Sequence, residues 1–473
     1  MTVDEAQELA SRYRELAAEA SSRHPGHHVA RMIDVTATDG GGHVVHFGLD
    51  NGLEVLLEPD HSAPLVSFQS WFRVGTVNEC GFPGGIAHLF EHLMFKGTRR
   101  FGHSEFDRLL EEAGAQNNAA TWLDWTFYYE NLPSVALELA FDLESDRMRN
   151  LILDSEQLES ERDVVRSERH YRVDNDPDGL IEEALFARLF PGHPYGSPTL
   201  GTFEDIDSIT LDDCLRFYGH YYQPRNAILV IVGDCTFEAA LELCLAYYGS
   251  IEPHPVPGCD VPAVRDAVAE VTEIDVDINS ERLRIGWQTV AAGDVDAVAL
   301  DVANEILFAN ESSRVYRRLI DDLPIASDVD GTSEPMRLSG TFIVDVTINE
   351  SEKASDALDV VFDEIGRLGR EGPTEVEITR ACNHLEASFL RSLVTVGSRA
   401  TQLGIWHITT GDYRQLFDFV NDVRRVDAAR VRDVVSRYLT PGSAVTVVAR
   451  PLNPAPEMTC DEDVEPFESG GGR

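Results

Sequence analysis

The chain has 473 residues, of which 43% are hydrophobic and 8% are aromatic. This composition can fill sizeable cores and, at this length, predicts two or more domains. Acidic residues number 82 against 39 basic ones, which gives a formal net charge of −43. A surface this negative argues against a nucleic-acid partner, because binding to phosphates needs a positive face. No apolar run reaches the length of about 18 residues that would predict a membrane-spanning helix.

Residues 1–34 are predicted to form an N-terminal extension, a short polar helix followed by a loose segment. The extension has no apolar stretch behind a basic start, so it does not resemble a secretory signal. Seven cysteines are scattered along the chain without a Cys-x-x-Cys pair. These features together predict reduced thiols, a cytoplasmic location and no cysteine-based metal site.

The first half then opens with the signals of a β-hairpin. The turn Asp50-Asn51-Gly52 separates two apolar stretches, and Asn and Gly tolerate the positive φ that such a turn needs. Further on, Ser104 is predicted to cap a helix that ends at Gly114. The other predicted elements of this region are strands over 44–49, 53–58 and 66–74 and a helix over 85–95.

A weak internal repeat predicts two similar domains. Near residue 224 and again near residue 441, a predicted helix leads through a proline-containing turn into an apolar strand. Strands and helices alternate without regular βαβ order, so we predict an α+β fold with a mixed β-sheet packed against α-helices in each domain. The predicted divisions are a catalytic domain over 35–251, a Pro- and Gly-rich linker over 252–264, a second domain over 265–452 and a disordered tail over 453–473.

The most informative stretch is His88-Leu89-Phe90-Glu91-His92. On a helix, residues four apart share a face, so His88 and His92 can occupy two corners of a zinc tetrahedron. Glu91 lies beside them, where it can accept a proton from a water molecule. A single histidine is usually a satisfied core residue, but two of them with a glutamate at ligand spacing favour a metal site. Other histidines, such as His43 and His46, are predicted to lie on the surface of an early strand.

A catalytic zinc needs a third protein ligand, and residues 158–169 offer candidates. This segment has the pattern of an amphipathic helix, and Glu161 and Glu168 lie two turns apart on one face of it. In a chain this acidic, a solvated acidic face is the alternative interpretation of the same pattern.

These motifs together resemble the family of pitrilysin, insulin-degrading enzyme and mitochondrial processing peptidase, whose members carry an inverted zinc-peptidase motif. The resemblance covers about residues 35 to 450 and fits the half-length, two-domain type. The stretches that carry it are His88 to His92, Asn118 to Thr121, His193 to Gly201 and Tyr222 to Asn226.

The resemblance implies a zinc-dependent endopeptidase. By similarity, His88, His92 and Glu168 would bind one Zn²⁺ per chain. Glu91 would act as the general base, and Glu161 would lie behind the ligands and orient one of them or balance charge. An extended peptide or unfolded segment would add as a strand to a sheet edge near Asn118 and Ala119.

One departure from the family pattern concerns the second domain. Members often carry there an Arg and a Tyr that contact the substrate carbonyl, and Ile320 and Ser327 stand at those positions. Half-length members commonly pair, so the resemblance implies a homodimer or a heterodimer with a related subunit. A partner subunit that supplies the missing pair is one hypothesis.

Two other functions stay open at this point. Some family members have lost catalysis and serve as scaffold or binding subunits, although those usually lose the zinc residues. A small-molecule lyase of the S-ribosylhomocysteinase type shares an inverted zinc motif, but it resembles one short domain and uses a Cys ligand.

Overall fold

The structure is a computed structural model that describes residues 3–38, 41–102 and 104–452. The tail predicted to be disordered, 453–473, lies outside the described residues. Within them, no helix has both the length and the apolar character that crossing a membrane requires.

The first half of the chain contributes seven strands and nine helices to the described structure. The strands are β1 (Ala30–Ala37), β2 (His43–Leu49), β3 (Glu54–Pro59), β4 (Leu65–Phe72), β5 (Gln116–Thr121), β6 (Thr126–Pro133) and β7 (Ala227–Gly233). The helices are α1 (Val3–Arg23), α2 (Ile86–Leu93), α3 (Glu105–Glu112), α4 (Leu137–Asn150), α5 (Ser155–Arg169), α6 (Pro177–Leu189), α7 (Phe203–Ser208), α8 (Leu211–Tyr221) and α9 (Phe237–Tyr248).

These strands form one sheet in the order β1-β2-β3-β7-β4-β6-β5. Strands β3 and β7 are parallel, and the other neighbours are antiparallel. All seven residues of β7 are buried, as expected for a central strand that is covered on both faces. Strand β5 lies at the end of the order, so one of its edges has no strand beside it among the described residues.

The second half contributes five strands and seven helices to the described residues. The strands are β8 (Glu270–Val276), β9 (Arg282–Thr289), β10 (Ala326–Pro335), β11 (Gly340–Ile348) and β12 (Val445–Pro451). The helices are α10 (Ala297–Leu307), α11 (Arg314–Tyr316), α12 (Ala354–Glu371), α13 (Glu375–Ser392), α14 (Val396–Thr410), α15 (Gln415–Arg425) and α16 (Ala428–Tyr438).

The second sheet repeats the first with fewer strands. Its order is β10-β11-β9-β12-β8, with β12 and β8 parallel and the remaining pairs antiparallel. Strands β8, β12, β9, β11 and β10 therefore match β3, β7, β4, β6 and β5. The prediction of an α+β fold with two similar domains, each a mixed sheet with helices, is confirmed.

The predicted hairpin and the predicted turns at Pro224 and Pro441 are present. Strands β2 and β3 pair across the turn at Asp50-Asn51-Gly52. A helix, a short 3₁₀ turn that begins at the proline, and a buried strand follow one another in both halves.

Two local expectations need correction. Ser104 precedes α3, but its backbone is left-handed with φ of 63° and its side chain makes no capping hydrogen bond. Instead, the Glu105 carboxylate accepts the Gly102 N–H at 3.1 Å and closes the turn.

The boundary predicted at residue 34 falls inside β1, which pairs with β2 as part of the first sheet. Helix α1 buries Tyr13 and Ala17 in the core of the same half.

The cysteines also differ from the expectation of reduced thiols. Cys80, in the loop before α2, forms a disulfide with Cys259 in the segment 251–269, which has neither helix nor strand. Their Cα atoms are 5.7 Å apart although 179 residues separate them in sequence. The spacing along the chain gave no sign of this pair, because the linker returns past the α2 loop only in the folded chain. The free cysteines in the described residues are Cys214, Cys235, Cys244 and Cys382.

The first sheet is covered by helices on both faces, and one of these covers comes from the second half. On one face, α2, α4, α8 and α9 bury a large apolar core against the strands. On the other face, α14 packs against β4 and β7 and buries Trp71, Val230 and Leu403. Gly404 permits this approach, because a Cβ there would lie 2.2 Å from Cε2 of Trp71.

Candidate active site

Helix α2 carries the predicted motif and is fixed at its N-terminus. The Glu79 carboxylate accepts the backbone N–H groups of Gly85 at 3.1 Å and Ala87 at 3.0 Å. Gly85 has φ of 80°, and a Cβ there would lie 2.4 Å from the Leu200 carbonyl oxygen. These constraints fix the direction in which the buried face of α2 points.

The structure brings His88, His92 and Glu168 together. Oε2 of Glu168 lies 3.7 Å from Nε2 of His88 and 3.2 Å from Nε2 of His92. Ligand atoms at the corners of a zinc tetrahedron with bonds of about 2.0–2.1 Å lie roughly 3.3 Å apart. Two imidazoles and one carboxylate are also ligands that Zn²⁺ accepts in catalytic sites. The residues therefore fit a zinc ion without large rearrangement.

Helix α5 places the two predicted glutamates on the face that meets α2. It begins with a capping box at Asp154, and Leu158 and Val165 anchor it in the core. Glu161 is 5% exposed, which rules out the solvated acidic face as an account of this residue. Its carboxylate lies 3.5 Å from Nδ1 of His92, on the side away from Glu168. A carboxylate in that place orients the imidazole ring.

The two histidines have opposite electrostatic environments. Burial lowers the pKa of His88 to about 4. Burial by itself would also lower the pKa of His92, but the carboxylates of Glu161 and Glu168 raise it to about 9. At neutral pH, His92 therefore holds a proton where a metal ion would bind, and metal binding would release that proton.

Glu91 lies on the same helix and is poorly satisfied. Its Oε2 atom is buried and has no hydrogen-bond partner in the described structure. Burial raises the pKa of the Glu91 carboxyl above its usual range. A carboxylate in this state can accept a proton more readily at neutral pH than an exposed one.

Asn118 and Ala119 lie on the edge strand β5, beside α2. They pair with Tyr129 and Tyr128 of β6, so their other side faces away from the sheet. Asn118 is exposed and Ala119 is half-buried. The predicted substrate edge is therefore next to the predicted zinc ligands, because α2 contacts β5 directly.

Ile320 and Ser327 are not part of this cluster. Ile320 packs against the apolar core of the second half. Ser327 is exposed on β10, where its hydroxyl lies 3.4 Å from the Thr347 carbonyl oxygen. Neither residue offers the guanidinium or phenol that the family pattern places there.

Two cations of the site were missed at the sequence level. The Lys96 ammonium forms an ion pair with Glu161. The Arg172 guanidinium lies 3.1 Å from Oε1 of Glu168 and leaves Oε2 facing the histidines. Arg172 follows Glu168 by four residues, so the i,i+4 spacing was the available signal for this pair. Lys96 lies beyond the end of α2 at Leu93, and no local spacing predicts its contact with Glu161.

Comparison with known proteins identifies the family. The sequence profile described as insulinase, peptidase family M16, matches residues 54–203. The profile of the peptidase M16 inactive domain matches residues 208–385. The chain belongs to the M16 peptidase family. The first match ends and the second begins at residues 203–208, inside the first half of the fold, so α8, β7 and α9 lie in the second match.

The relatives of this M16 chain include several proteins named zinc proteases. The zinc protease PqqE of Helicobacter pylori is 27% identical over 409 residues, which are 85% of this chain and 92% of that protein. The uncharacterized zinc protease YmxG of Bacillus subtilis is 23% identical and is covered over 98% of its length.

Solved structures agree on the fold. A protease from Helicobacter pylori matches with a TM-score of 0.82 and 26% identity, over 86% of this chain and 99% of that one. Pitrilysin matches with a TM-score of 0.75 and 19% identity, over 89% of this chain but 46% of pitrilysin. This chain is therefore of the half-length M16 type.

Proposed function

We propose that this chain is a zinc-dependent endopeptidase that hydrolyses extended peptides or unfolded segments. The observation that carries the proposal is the convergence of His88, His92 and Glu168 beside the buried carboxylate of Glu91. A zinc ion bound by these three residues would act as a Lewis acid and make water a stronger nucleophile at neutral pH. The names of the relatives support the choice of zinc.

The side chains around the ligands have distinct roles in this proposal. Glu91 accepts a proton from the attacking water and later donates it to the leaving amine. Glu161 holds His92 in orientation through Nδ1, while Lys96 neutralises the second oxygen of Glu161. Arg172 holds Glu168 so that one of its oxygens faces the histidines.

Substrate binding follows from the position of β5. An extended peptide that pairs with this edge gains main-chain hydrogen bonds along Asn118 and Ala119. Such bonds depend little on side-chain identity, so the proposal predicts cleavage of extended segments with broad sequence tolerance. A folded substrate has few free strands to offer and should be resistant.

The experiment compares cleavage of a quenched peptide by the wild type and by Glu91→Gln. We expect a loss of about 10²–10⁴-fold in kcat/KM, because the general base is removed while the ligands remain. Zinc content, measured by elemental analysis, should be unchanged. Glu111→Gln, an exposed change on α3, is the matched control and should retain full activity. Unchanged cleavage by Glu91→Gln would refute the assigned base.

A partner subunit is a second part of the proposal. Ile320 and Ser327 stand where the family pattern has an Arg and a Tyr, and they carry neither a guanidinium nor a phenol. We therefore propose that a second copy or a related subunit completes the substrate site. Light scattering and activity of the chain expressed alone provide the test, and full activity of a monomer would contradict it.

The cytoplasmic location stays a prediction, and the Cys80–Cys259 disulfide weighs against it. Cell fractionation is the test of that prediction.

A further inference from the structure

A second cluster of two imidazoles and a carboxylate lies between the two halves of the chain. His46 belongs to β2 and Glu54 to β3, whereas His407 belongs to α14. Their candidate ligand atoms lie within 4.8 Å of one another. Residues 46 and 407 come from opposite ends of the sequence, so only the fold brings them together.

The distances in this cluster match those of a zinc site. Oε2 of Glu54 lies 3.3 Å from Nε2 of His46 and 2.9 Å from Nε2 of His407. Neighbouring ligands of a tetrahedral zinc ion lie roughly 3.3 Å apart, so the first distance already fits and the second, now a hydrogen-bond distance, would have to lengthen by about 0.4 Å. The centroids of the two imidazole rings are 5.3 Å apart, compared with 5.0 Å between the ring centroids of His88 and His92.

The cluster is buried and incompletely satisfied. His46 and His407 are only 9% and 5% exposed. Nε2 of His46 has no hydrogen-bond partner in the described structure, although it lies 3.3 Å from Oε2 of Glu54. Nε2 of His407 is hydrogen-bonded to Oε2 of Glu54, and Nδ1 on the other side of that ring has no partner. A buried nitrogen that lacks a partner costs free energy unless something binds to it, and an ion held at the Nε2 atoms would meet this need for His46. The expectation that His46 lies on an exposed strand surface is wrong, because α14 covers that face.

The backbone is shaped so that these three side chains can meet. Gly48 stands opposite Glu54 in the β2–β3 register, and His46 is two residues along on the same face. Because Gly48 has no side chain, Glu54 can reach diagonally to His46. In α14, Gly404 packs on Trp71, and His407 follows one turn later on the same side.

The charge pattern repeats that of the predicted catalytic site. Nη2 of Arg73 donates to Oε1 of Glu54 at 2.8 Å and leaves Oε2 facing the imidazoles. Arg172 binds Oε1 of Glu168 in the same way.

We propose that His46, Glu54 and His407 form a second zinc site, which clamps α14 of the second half to the first sheet. The fourth position would be open to water. No unpartnered buried carboxylate comparable with Glu91 stands beside this cluster among the described residues, so we assign it a structural role and no catalytic one. The site is independent of the proposed peptidase activity, because it shares no residue with the α2 site.

The test is the zinc stoichiometry of the full chain after equilibration with Zn²⁺ and desalting. We expect about two zinc ions per chain in the wild type and about one in His407→Gln, Glu54→Gln or His92→Gln. The double variant His92→Gln/His407→Gln should retain essentially none. His384→Gln is the matched control, since His384 pairs with Glu305 at 2.8 Å but has no second imidazole beside it. This control should keep both ions.

A second readout does not depend on stoichiometry or activity. In the His92→Gln chain, saturating Zn²⁺ should raise the unfolding temperature by about 2–4 °C or more, since a ligand that binds the native state stabilises it. Adding His407→Gln should abolish that rise. Circular dichroism checks that each variant is folded, and Glu54→Gln serves if His407→Gln is not. The proposal would be overturned if the wild type held one zinc ion per chain and neither His407→Gln nor Glu54→Gln reduced that number.

Discussion

The two histidine–glutamate clusters have the same ligand set and nearly the same geometry, but they lie in different surroundings. In the first, His88 and His92 share one helix turn, and the site lies beside the sheet edge of β5. In the second, the two imidazoles come from β2 and α14 and meet between the halves. Each carboxylate has an arginine on its other oxygen.

The difference shows that the ligand set alone does not determine what such a site can do. The α2 cluster has a neighbouring carboxylate, Glu91, whose buried oxygen is unpartnered, and an edge where a peptide can pair. The cluster between the halves has neither feature in the described residues, and α14 covers it. The equivalent helix of the second half, α10, carries no histidine at all. Among the described residues, the α2 cluster therefore combines the proposed ligands with a proposed base and an accessible strand edge, whereas the cluster between the halves does not.

The sharpest test of this comparison replaces the glutamate of each cluster by glutamine. Glu168→Gln removes a proposed catalytic ligand, and we expect peptidase activity to fall by about 10³-fold or more, since the metal contributes several kcal/mol to the transition state. Glu54→Gln makes the same chemical change in the other cluster and should leave kcat/KM within about twofold of the wild type. Equal losses in both variants would mean that the two clusters do not differ in role.

A smaller effect is expected when Glu161, which contacts a proposed zinc ligand, is changed. Glu161→Gln weakens the contact to Nδ1 of His92 and leaves Lys96 without its anionic partner. Zinc affinity or activity should drop by about 10–100-fold, as is typical when such a supporting carboxylate is lost. Competition with a coloured chelator measures the affinity. Glu156→Gln, on the exposed side of the same helix, controls for the charge change and should have no effect.

The packing that holds the second cluster can be broken without touching a ligand. In Gly404→Ala, the added Cβ would lie 2.2 Å from the Trp71 ring, so α14 must shift away from β4. We expect a loss of about 1–3 kcal/mol in the free energy of unfolding, the usual cost of overpacking. Denaturant unfolding measures it.

Gly219→Ala is the matched control for that change, because Gly219 lies in α8 and its Cβ would meet nothing within 4 Å. It should be neutral or stabilising by up to about 1 kcal/mol, since alanine favours the helix. Equal destabilisation by both substitutions would indicate that α14 does not pack as closely as described.

The sequence predicted one of these clusters and missed the other for a physical reason. His88, Glu91 and His92 lie within two helical turns, so the helix period alone places them on one face. The same rule places Glu161 and Glu168 on one face of α5, but their assignment beside the histidines came from the family resemblance. Glu54 and His407 have no local relation, and their contact depends on how α14 folds back over the first sheet. The Cys80–Cys259 pair escaped prediction for the same reason.

The smallest expected effect concerns an ion pair at the edge of this interface. Arg399 of α14 donates to the Asp60 carboxylate and, as the largest cause, lowers the pKa of Asp60 from 3.8 to about 2. A carboxyl group whose pKa is lower in the folded chain than in the unfolded chain stabilises the fold at pH values above the unfolded pKa. That stabilisation is lost as the pH falls from about 4 towards 2. Asp60→Asn should therefore lower the unfolding midpoint slightly at pH 5 and converge with the wild type near pH 2. Asp328→Asn, an exposed change on β10, should show no such convergence. A constant difference between Asp60→Asn and the wild type over this pH range would contradict the role assigned to the pair.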